Sequence, residues 1–161
     1  MKIKTGLGQD SHRFQDNSIN FKELILGGVK FENNLSLQGN SDADVVLHAL
    51  CNAISGVTGV NILGKISDDL CAKGIIDSSV YVQEALKYLC NWQICHVSFS
   101  FECQVPKITP KISEMKYTIS KLLELQIQDI AITATSGEGL TAFGRGEGIQ
   151  VFCIVTAIND T

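Results

Sequence analysis

The sequence lacks the features that mark membrane-spanning, secreted and nucleic-acid-binding proteins. Its longest apolar runs, such as Ile149 to Ile158, are far shorter than the roughly 20 residues that a membrane-spanning helix needs. The N-terminal lysines are not followed by the apolar core of a signal peptide, so a cytoplasmic location is expected. No long basic run occurs, and 13 basic against 17 acidic side chains give a net charge of −4, which argues against nucleic-acid binding. A small molecule is therefore the expected partner.

No CxxC pair occurs among the six cysteines, and most of them lie within apolar periodic stretches. This distribution favours buried free thiols over disulfides. There is also no internal repeat and no low-complexity segment. With 161 residues, 45% of them apolar, the chain suits one domain over residues 1–161 with a sizeable core.

Apolar periodicity predicts the elements of the first half of the chain. Ile3 to Phe14 is predicted to form a strand, and Glu23 to Phe31 a hairpin, because Gly27-Gly28 supplies the positive φ of a tight turn. A helix is expected from about Ala43 to Val57, preceded by a capping box in which Ser41 is followed three residues later by Asp44. The stretch from Gly59 to Asp77 shows little periodicity and is predicted to be a long loop.

The second half is predicted to alternate helices and strands. CHVSFSFEC, from Cys95 to Cys103, alternates apolar and polar residues as a half-buried strand does. The other expected elements are a helix capped by Ser78 or Ser79 and ending near Asn91, a helix from Pro110 or Lys111 to Leu125, and strands over Asp129 to Thr135 and Ile149 to Ile158. Together they predict an α+β two-layer sandwich, in which helices cover one face of a mixed, partly antiparallel sheet.

Two segments carry side chains that can bind a metal ion. Asp10 and His12 lie two residues apart on the first predicted strand, so their side chains share one face. If that strand meets the first helix, His48 completes a set of two histidines and one carboxylate, which leaves the fourth position of a tetrahedral zinc site open. Asp44 or Asp42 can then orient an imidazole. The competing interpretation is a packed core histidine, with both aspartates stabilising the helix N-terminus through its dipole.

The glycine-rich segment from Thr133 to Ile149 is a candidate phosphate site. Its glycines let backbone N–H groups approach phosphate oxygens, Arg145 can bind phosphate through its planar guanidinium group, and Glu138 can hold Mg²⁺ against a diphosphate. No Gly-Lys-Ser/Thr follows, so it is not a Walker loop, and a flexible hairpin is the alternative. The turn from Cys103 to Pro110 either exposes backbone groups to a flat base or only redirects the chain.

Four motifs follow one another along nearly the whole chain. They are GQDSHRF from Gly8 to Phe14, NSDADVVLHA from Asn40 to Ala49, QVPK from Gln104 to Lys107 and GRGEGI from Gly144 to Ile149. In this order and at these separations they resemble the 2-C-methyl-D-erythritol 2,4-cyclodiphosphate synthase family of the non-mevalonate isoprenoid pathway.

The resemblance implies a small subunit that assembles as a homotrimer with active sites at the subunit interfaces. The implied reaction is intramolecular phosphoryl transfer. The 2-phosphate of 4-diphosphocytidyl-2-C-methyl-D-erythritol 2-phosphate, a cytidine diphosphate substrate, attacks its own β-phosphorus, closes a cyclic diphosphate and releases CMP. Such chemistry needs mainly alignment and charge neutralisation. The implied cofactors are Zn²⁺, or another divalent transition metal, and Mg²⁺ or Mn²⁺ at the diphosphate.

The resemblance also implies roles for individual residues. Asp10, His12 and His48 correspond to zinc ligands, and Glu138 to a ligand of the second metal. Asn40 and Ser136 correspond to positions beside the reacting phosphates, and Cys103 to Thr109 to a cytosine pocket. The implied substrate-binding positions are Ser11, Ser41, Ile62, Leu63, Gly64, Ser67, Asp69, Cys103, Gln104, Val105, Pro106, Lys107, Ile108, Thr109, Thr135, Gly137, Ala142 and Arg145.

Several positions depart from the family pattern, among them Ser136-Gly137, which replace a threonine pair. Asn40 stands where the family usually has a histidine, Asn52 replaces an aspartate, and Ile62 stands at the aspartate of an Asp-Ile-Gly motif. Two alternatives to the synthase therefore stay open. One is a related phosphoryl-transfer enzyme with a different substrate, and the other is a non-catalytic trimer that binds a nucleotide or an isoprenoid diphosphate.

Overall fold

A mixed four-stranded sheet forms the centre of the fold. The computed structural model describes residues 1–16 and 21–160. The strands of the sheet are β1 (Lys2–Arg13), β4 (Gln93–Glu102), β5 (Ile130–Thr135) and β6 (Gly148–Asn159). Their order is β1-β6-β4-β5, with β6 antiparallel to both of its neighbours and β4 parallel to β5. The predicted mixed, partly antiparallel sheet is confirmed.

The predicted hairpin forms a separate two-stranded sheet. It consists of β2 (Leu24–Leu26) and β3 (Val29–Phe31), which pair antiparallel. The turn residues Gly27 and Gly28 have φ values of 60° and 73°, a conformation that glycine adopts without a steric penalty. The two glycines therefore fix the turn as their sequence predicts.

Four helices accompany the sheet in the described part of the chain. They are α1 (Val45–Thr58), α2 (Lys65–Ala72), α3 (Ser78–Leu86) and α4 (Ile112–Leu123). The prediction of one long loop from Gly59 to Asp77 is wrong, because α2 lies within it. Ser67 is the only fully buried residue of α2, and Ile66 and Leu70 are partly buried against the core, so the apolar stripe of this helix is too short for periodicity to reveal it.

The helix ends differ from the predicted ones. Asp77, not Ser78 or Ser79, caps α3 by accepting a hydrogen bond from the Ser79 N–H, and α3 ends at Leu86. A short 3-10 turn continues it to Leu89, so the predicted end at Asn91 is also wrong.

The predicted capping box of α1 is absent from the structure. Asp44 itself caps α1, accepting hydrogen bonds from the N–H groups of Val46 and Leu47, and Ala43 has a left-handed φ of 57°. Helix α1 therefore begins two residues later than predicted. Ser41 accepts a hydrogen bond from the Ala43 N–H instead of capping the helix.

Helix α1 lies unusually close to β1. A Cβ atom on Gly6 would be 2.0 Å from the Ala53 carbonyl oxygen, and one on Gly8 would be 2.1 Å from the Ala49 carbonyl oxygen. Both glycines lie on the buried face of β1, whose next two positions are Asp10 and His12. The close approach therefore brings α1 against the part of β1 that carries these two side chains.

The core lies between the sheet and the helices. On β4, Val97, Phe99 and Phe101 are buried, as the alternating pattern predicts, and His96 is exposed. All six cysteines are free; Cys51, Cys103 and Cys153 are buried, whereas Cys90 is exposed. Burial raises the pKa of the Cys51 thiol to about 12 and that of Cys103 to about 11, which keeps both thiols protonated at neutral pH. None of the helices described is long and apolar enough to span a membrane.

Candidate metal centre and active site

Asp10 and His12 of β1 and His48 of α1 bring three possible metal ligands together. The His12 Nε2 and His48 Nδ1 atoms lie 2.9 and 3.0 Å from the Asp10 Oδ2 atom and 3.2 Å from each other. One possible ligand atom from each of the three residues lies within 4.8 Å of those from the other two. The predicted meeting of strand and helix is confirmed, and two imidazole nitrogens with one carboxylate form a donor set that suits zinc with an open fourth position.

A backbone carbonyl determines which nitrogen of His12 can bind a metal. The His12 Nδ1 atom lies 2.6 Å from the Gln38 carbonyl oxygen, which can only accept a hydrogen bond. Nδ1 therefore carries a proton, and Nε2, which faces Asp10 and His48, is the nitrogen that a metal ion can bind. This tautomer is the one that a metal ligand needs.

The electrostatics of the three side chains are coupled. Burial raises the pKa of Asp10, but hydrogen bonds to His12 and His48 and their positive charges outweigh burial and lower it to about 2. Burial lowers the pKa of His12, but the hydrogen bond and charge of Asp10 and the Gln38 carbonyl outweigh it, so the pKa lies above its ordinary value. Asp10 is thus a carboxylate at any physiological pH and is ready to bind a cation.

A pocket opens beside the three residues. Among the predicted site residues, Asn40, Ser41, Leu63, Gly64 and Ser67 line it. Four further lining residues, which are Gly39, Asp68, Cys71 and Tyr81, are not among the individually predicted site residues. Asp68 and Cys71 come from α2, so the unpredicted helix explains half of this difference.

Three predicted substrate-binding residues lie elsewhere. Ile62 is 1% exposed, and its backbone N–H and carbonyl bond to Ser55 and Ser67. Its side chain therefore belongs to the core, and a contact of Ile62 with substrate stays a prediction. Asp69 is exposed but does not line the pocket, where Asp68 lies instead. Ser11 lies on the opposite face of β1 from its neighbours Asp10 and His12.

The other predicted residues form a second cluster at the end of β4. The Cys103 N–H donates to the Thr135 carbonyl at 3.1 Å, and the Gln104 N–H donates to the Phe143 carbonyl at 3.0 Å. The turn with Lys107 therefore lies against the glycine-rich segment. The remaining members are Val105, Pro106, Ile108, Thr109, Ser136, Gly137, Glu138, Ala142 and Arg145, of which Ile108 is buried.

The two phosphate-binding candidates of this cluster are solvent-exposed. Glu138 is exposed and has a left-handed φ of 47° at the tip of the segment. The Arg145 Nε atom lies 3.1 Å from a Glu147 carboxylate oxygen, which holds the guanidinium group at the surface. Both side chains are accessible to a ligand.

The sheet topology relates the two clusters. Strands β1 and β4 flank β6 and run in the same direction, so their C-terminal ends lie at one edge of the sheet. Asp10 and His12 lie near the C-terminal end of β1, and the second cluster follows the end of β4. All described residues that line the pocket nevertheless lie between Asp10 and Tyr81. One chain therefore presents two separate groups of candidate residues.

The chain is similar to known proteins along almost its whole length. The model of the YgbB family matches residues 3–158. The chain belongs to the YgbB family. A 2-C-methyl-D-erythritol 2,4-cyclodiphosphate synthase from Chlamydia caviae is 50% identical over 155 residues, which are 95% of this chain and 88% of the relative. The synthase from Chlamydia muridarum is also 50% identical, over 157 residues, which are 96% of this chain and 88% of that relative.

Solved structures of the YgbB fold agree with this assignment. IspF from Plasmodium falciparum, in a complex with CDP, is 29% identical and superposes with a TM-score of 0.81 over 99% of this chain and 97% of that one. The bifunctional IspDF from Campylobacter jejuni is 28% identical, with a TM-score of 0.88 over 98% of this chain. This chain covers 42% of that longer protein.

Proposed function

We propose that this chain catalyses the metal-dependent cyclisation of 4-diphosphocytidyl-2-C-methyl-D-erythritol 2-phosphate to 2-C-methyl-D-erythritol 2,4-cyclodiphosphate, with release of CMP. The function follows from the relatives with this name, which share half of their residues with this chain. The observation that links this function to particular residues is that Asp10, His12 and His48 lie close together at a pocket.

The reaction joins the two ends of one substrate. An oxygen of the 2-phosphate attacks the β-phosphorus, and the bond from that phosphorus to the oxygen bridging it to the α-phosphate breaks. CMP leaves with this bridging oxygen, so atoms and charge balance without a general base, because a phosphate nucleophile is already ionised near neutral pH. Catalysis then depends on alignment and on neutralising negative charge.

The two clusters divide this work. The donor set of Asp10, His12 and His48 fits zinc, and the carboxylate of Glu138 fits magnesium or manganese, which commonly bind one protein carboxylate together with substrate phosphates. When bound, the two ions neutralise phosphate charge and polarise the P–O bonds. Asn40 and Ser41 donate hydrogen bonds to the phosphate in the pocket, while Arg145 and the Ser136 hydroxyl bind the diphosphate. The turn from Cys103 to Thr109 holds cytosine through its backbone groups, with Lys107 beside it.

A homotrimer joins the two clusters into complete sites. On the exposed face of the sheet, Leu7 is 63%, Phe152 is 43% and Ile154 is 42% exposed, and Leu7 lies opposite Ile154 in the pairing of β1 with β6. An apolar sheet face of this kind is suited to contact with other copies. We propose that three copies pack through it, so that Asp10, His12 and His48 of one subunit face the second cluster, at the end of β4, of the next.

The first experiment is CMP release from the 2-phosphate substrate by purified protein. Release is expected with Zn²⁺ and Mg²⁺ present and should disappear after chelation and in His48→Ala. Binding of CDP by a folded, metal-loaded protein with no CMP release would instead favour the non-catalytic binder. Turnover of another cytidylyl diphosphate in preference to this substrate would favour the enzyme of altered specificity.

The shared site has its own test. Two inactive variants, His48→Ala and Glu138→Ala, are mixed, unfolded and refolded together. If each site combines residues of two subunits, mixed trimers contain some sites with neither substitution, and part of the activity returns. If both residues act within one subunit, every site keeps one substitution and the mixture stays inactive.

A further inference from the structure

Ser78 lies fully buried at the first position of α3, where its hydroxyl faces the metal cluster. Its Oγ atom is 2.9 Å from the His48 Nε2 atom, on the side of the imidazole ring away from Asp10. The sequence predicts only a capping role for this serine, but Asp77 caps α3. The buried hydroxyl of Ser78 therefore does not cap the helix and can form hydrogen bonds with other side chains.

Asp42 determines the direction of this hydrogen bond. The Ser78 hydroxyl donates to the Asp42 Oδ1 atom, and a carboxylate can only accept. A serine hydroxyl has one hydrogen, so the Ser78 oxygen can only accept from His48. The Nε2 atom thus carries a proton, so Nδ1, which lies 3.0 Å from Asp10, is the nitrogen left to bind a metal ion.

The carboxylate of Asp42 is itself held in place. Its Oδ2 atom accepts from the Ser78 N–H at 3.0 Å, and its Oδ1 atom accepts from the Asp44 N–H at 3.1 Å. The backbone N–H of Asp42 donates to the Ile76 carbonyl at 2.9 Å. Asp42 is thus fixed between the start of α1 and the start of α3.

The other hydroxyl near this nitrogen is a weaker partner. The Ser41 Oγ atom lies 3.4 Å from His48 Nε2 and accepts a hydrogen bond from the Ala43 N–H. At that distance its hydrogen bond is weaker than that of Ser78. Ser78 is therefore the main acceptor for His48.

We propose that Asp42 and Ser78 are positioning residues of the metal site, which hold His48 in the tautomer that presents Nδ1 to the metal. The chain of contacts runs from Asp42 through the Ser78 hydroxyl to His48 Nε2–H. It fixes the orientation of the ring and increases the basicity of Nδ1. Loss of such an outer partner typically lowers metal affinity by about 10- to 100-fold. The inference rests on the metal site of the proposed function.

The test measures zinc affinity by competition with a chromophoric chelator. Ser78→Ala should weaken zinc binding by about 10- to 100-fold. Ser78→Thr keeps the hydroxyl and should restore most of the affinity. Ser79→Ala removes the next hydroxyl in the same turn and is the matched control. Asp42→Asn should also weaken binding, because an amide facing Ser78 can direct the serine proton onto His48 Nε2.

A second measurement separates positioning from a general loss of structure. In the zinc-loaded wild-type protein, the Nε2–H proton of His48 should be visible by NMR and slow to exchange with water. It should exchange faster in Ser78→Ala, while chemical unfolding of the metal-free variants reports their stability. A protein with unchanged stability, weaker zinc binding and faster exchange supports the inference.

The outcomes distinguish the inference from the proposed function. If the wild-type protein does not bind zinc, the metal site of the proposed function is wrong. If wild-type and Ser79→Ala bind zinc tightly and Ser78→Ala binds it equally well, the positioning role is overturned while the metal site stands. An affinity loss in Ser78→Ala that only follows a loss of stability also overturns it.

Discussion

Gly8 of β1 lies directly against Ala49 of α1, the residue that follows His48. The carbonyl oxygen of Ala49 would lie 2.1 Å from a Cβ atom on Gly8, closer than any side chain permits. The strand position two residues later carries Asp10, whose carboxylate reaches His48. The absence of a side chain at Gly8 thus sets the distance between β1 and α1. The contact between Asp10 and His48 depends on that distance.

Gly8→Ala should damage stability and zinc binding together. The added methyl group meets backbone atoms that cannot rotate away, so α1 must shift outward, and overpacking of this kind typically costs about 1–3 kcal/mol. The shift separates His48 from Asp10, so zinc affinity should fall as well. Chemical unfolding and chelator competition measure the two effects. Gln9→Ala, at the exposed neighbouring position, should change neither. Wild-type zinc affinity in Gly8→Ala would contradict the geometric argument.

Zinc affinity should fall steeply as the pH decreases. The pKa of His12 is raised in the metal-free protein, and its ligand atom Nε2 takes up the proton. Below that pKa a proton must leave before the metal binds, so competition from this one proton should lower the affinity by up to about tenfold per pH unit. Asp10, with a pKa of about 2, remains ionised and adds no proton competition in this range. Affinity measured between about pH 5 and 8 checks the slope.

The exposed histidine provides the control for this experiment. His96 lies on the exposed side of β4, outside the metal cluster. His96→Gln should therefore leave the pH profile of zinc affinity unchanged. A wild-type profile that is flat down to about pH 5 would show that His12 does not exchange a proton for the metal.

Asp44→Ala should destabilise the fold far more than an ordinary loss of a helix cap. The Asp44 carboxylate is fully buried and accepts hydrogen bonds from the N–H groups of Val46, Leu47, Gly27 and Gly28. Alanine leaves all four donors without this acceptor, and each buried unsatisfied donor costs about 1–3 kcal/mol. We expect the free energy of unfolding to fall by more than about 3 kcal/mol.

Asp77→Ala is the matched variant for this prediction. Asp77 caps α3 from an exposed position through one hydrogen bond, to the Ser79 N–H at 2.8 Å. Its loss should cost about 1 kcal/mol, as is typical of helix caps. Equal losses in the two variants would show that the link from α1 to the β2–β3 hairpin adds nothing to stability.

Leu7→Glu should convert the proposed trimer into monomers. A carboxylate at the centre of the exposed apolar sheet face would be buried without a partner on assembly, which costs far more than a surface charge. Size-exclusion chromatography with light scattering measures the assembly, and CMP release should be lost with it. Tyr117→Glu changes an exposed aromatic residue on α4 and should leave the trimer intact. A wild-type protein that is monomeric at all concentrations would contradict the proposed assembly.

Much of the fold could be predicted because its signals are local. Alternation revealed β4, paired glycines revealed the β2–β3 hairpin, and spacing put Asp10 and His12 on one face. The predicted metal site required β1 to pack against α1, and the sequence pattern alone did not predict that contact. Gly6 and Gly8 are the signal that could have supported it, since glycines two residues apart on a buried strand face indicate a close helix.

The rest of the site depends on tertiary contacts that leave no local pattern. Helix α2 is short and mostly polar, so the periodicity of the sequence did not predict that this helix brings Asp68 and Cys71 to the pocket. Ser78 resembles an ordinary cap residue, and only the approach of α3 to α1 shows that its hydroxyl meets His48. The Gln38 carbonyl, which fixes the His12 tautomer, is a backbone group and has no sequence signature at all.

The three metal ligands come from chain positions that meet only when β1 has packed against α1. An unfolded chain therefore holds no site of this geometry, so zinc held by these residues would bind the native state in preference to the denatured one. By mass action, free zinc at 100 times its dissociation constant would add about 2.7 kcal/mol to the free energy of unfolding. A falling metal supply would therefore weaken the fold as well as empty the site.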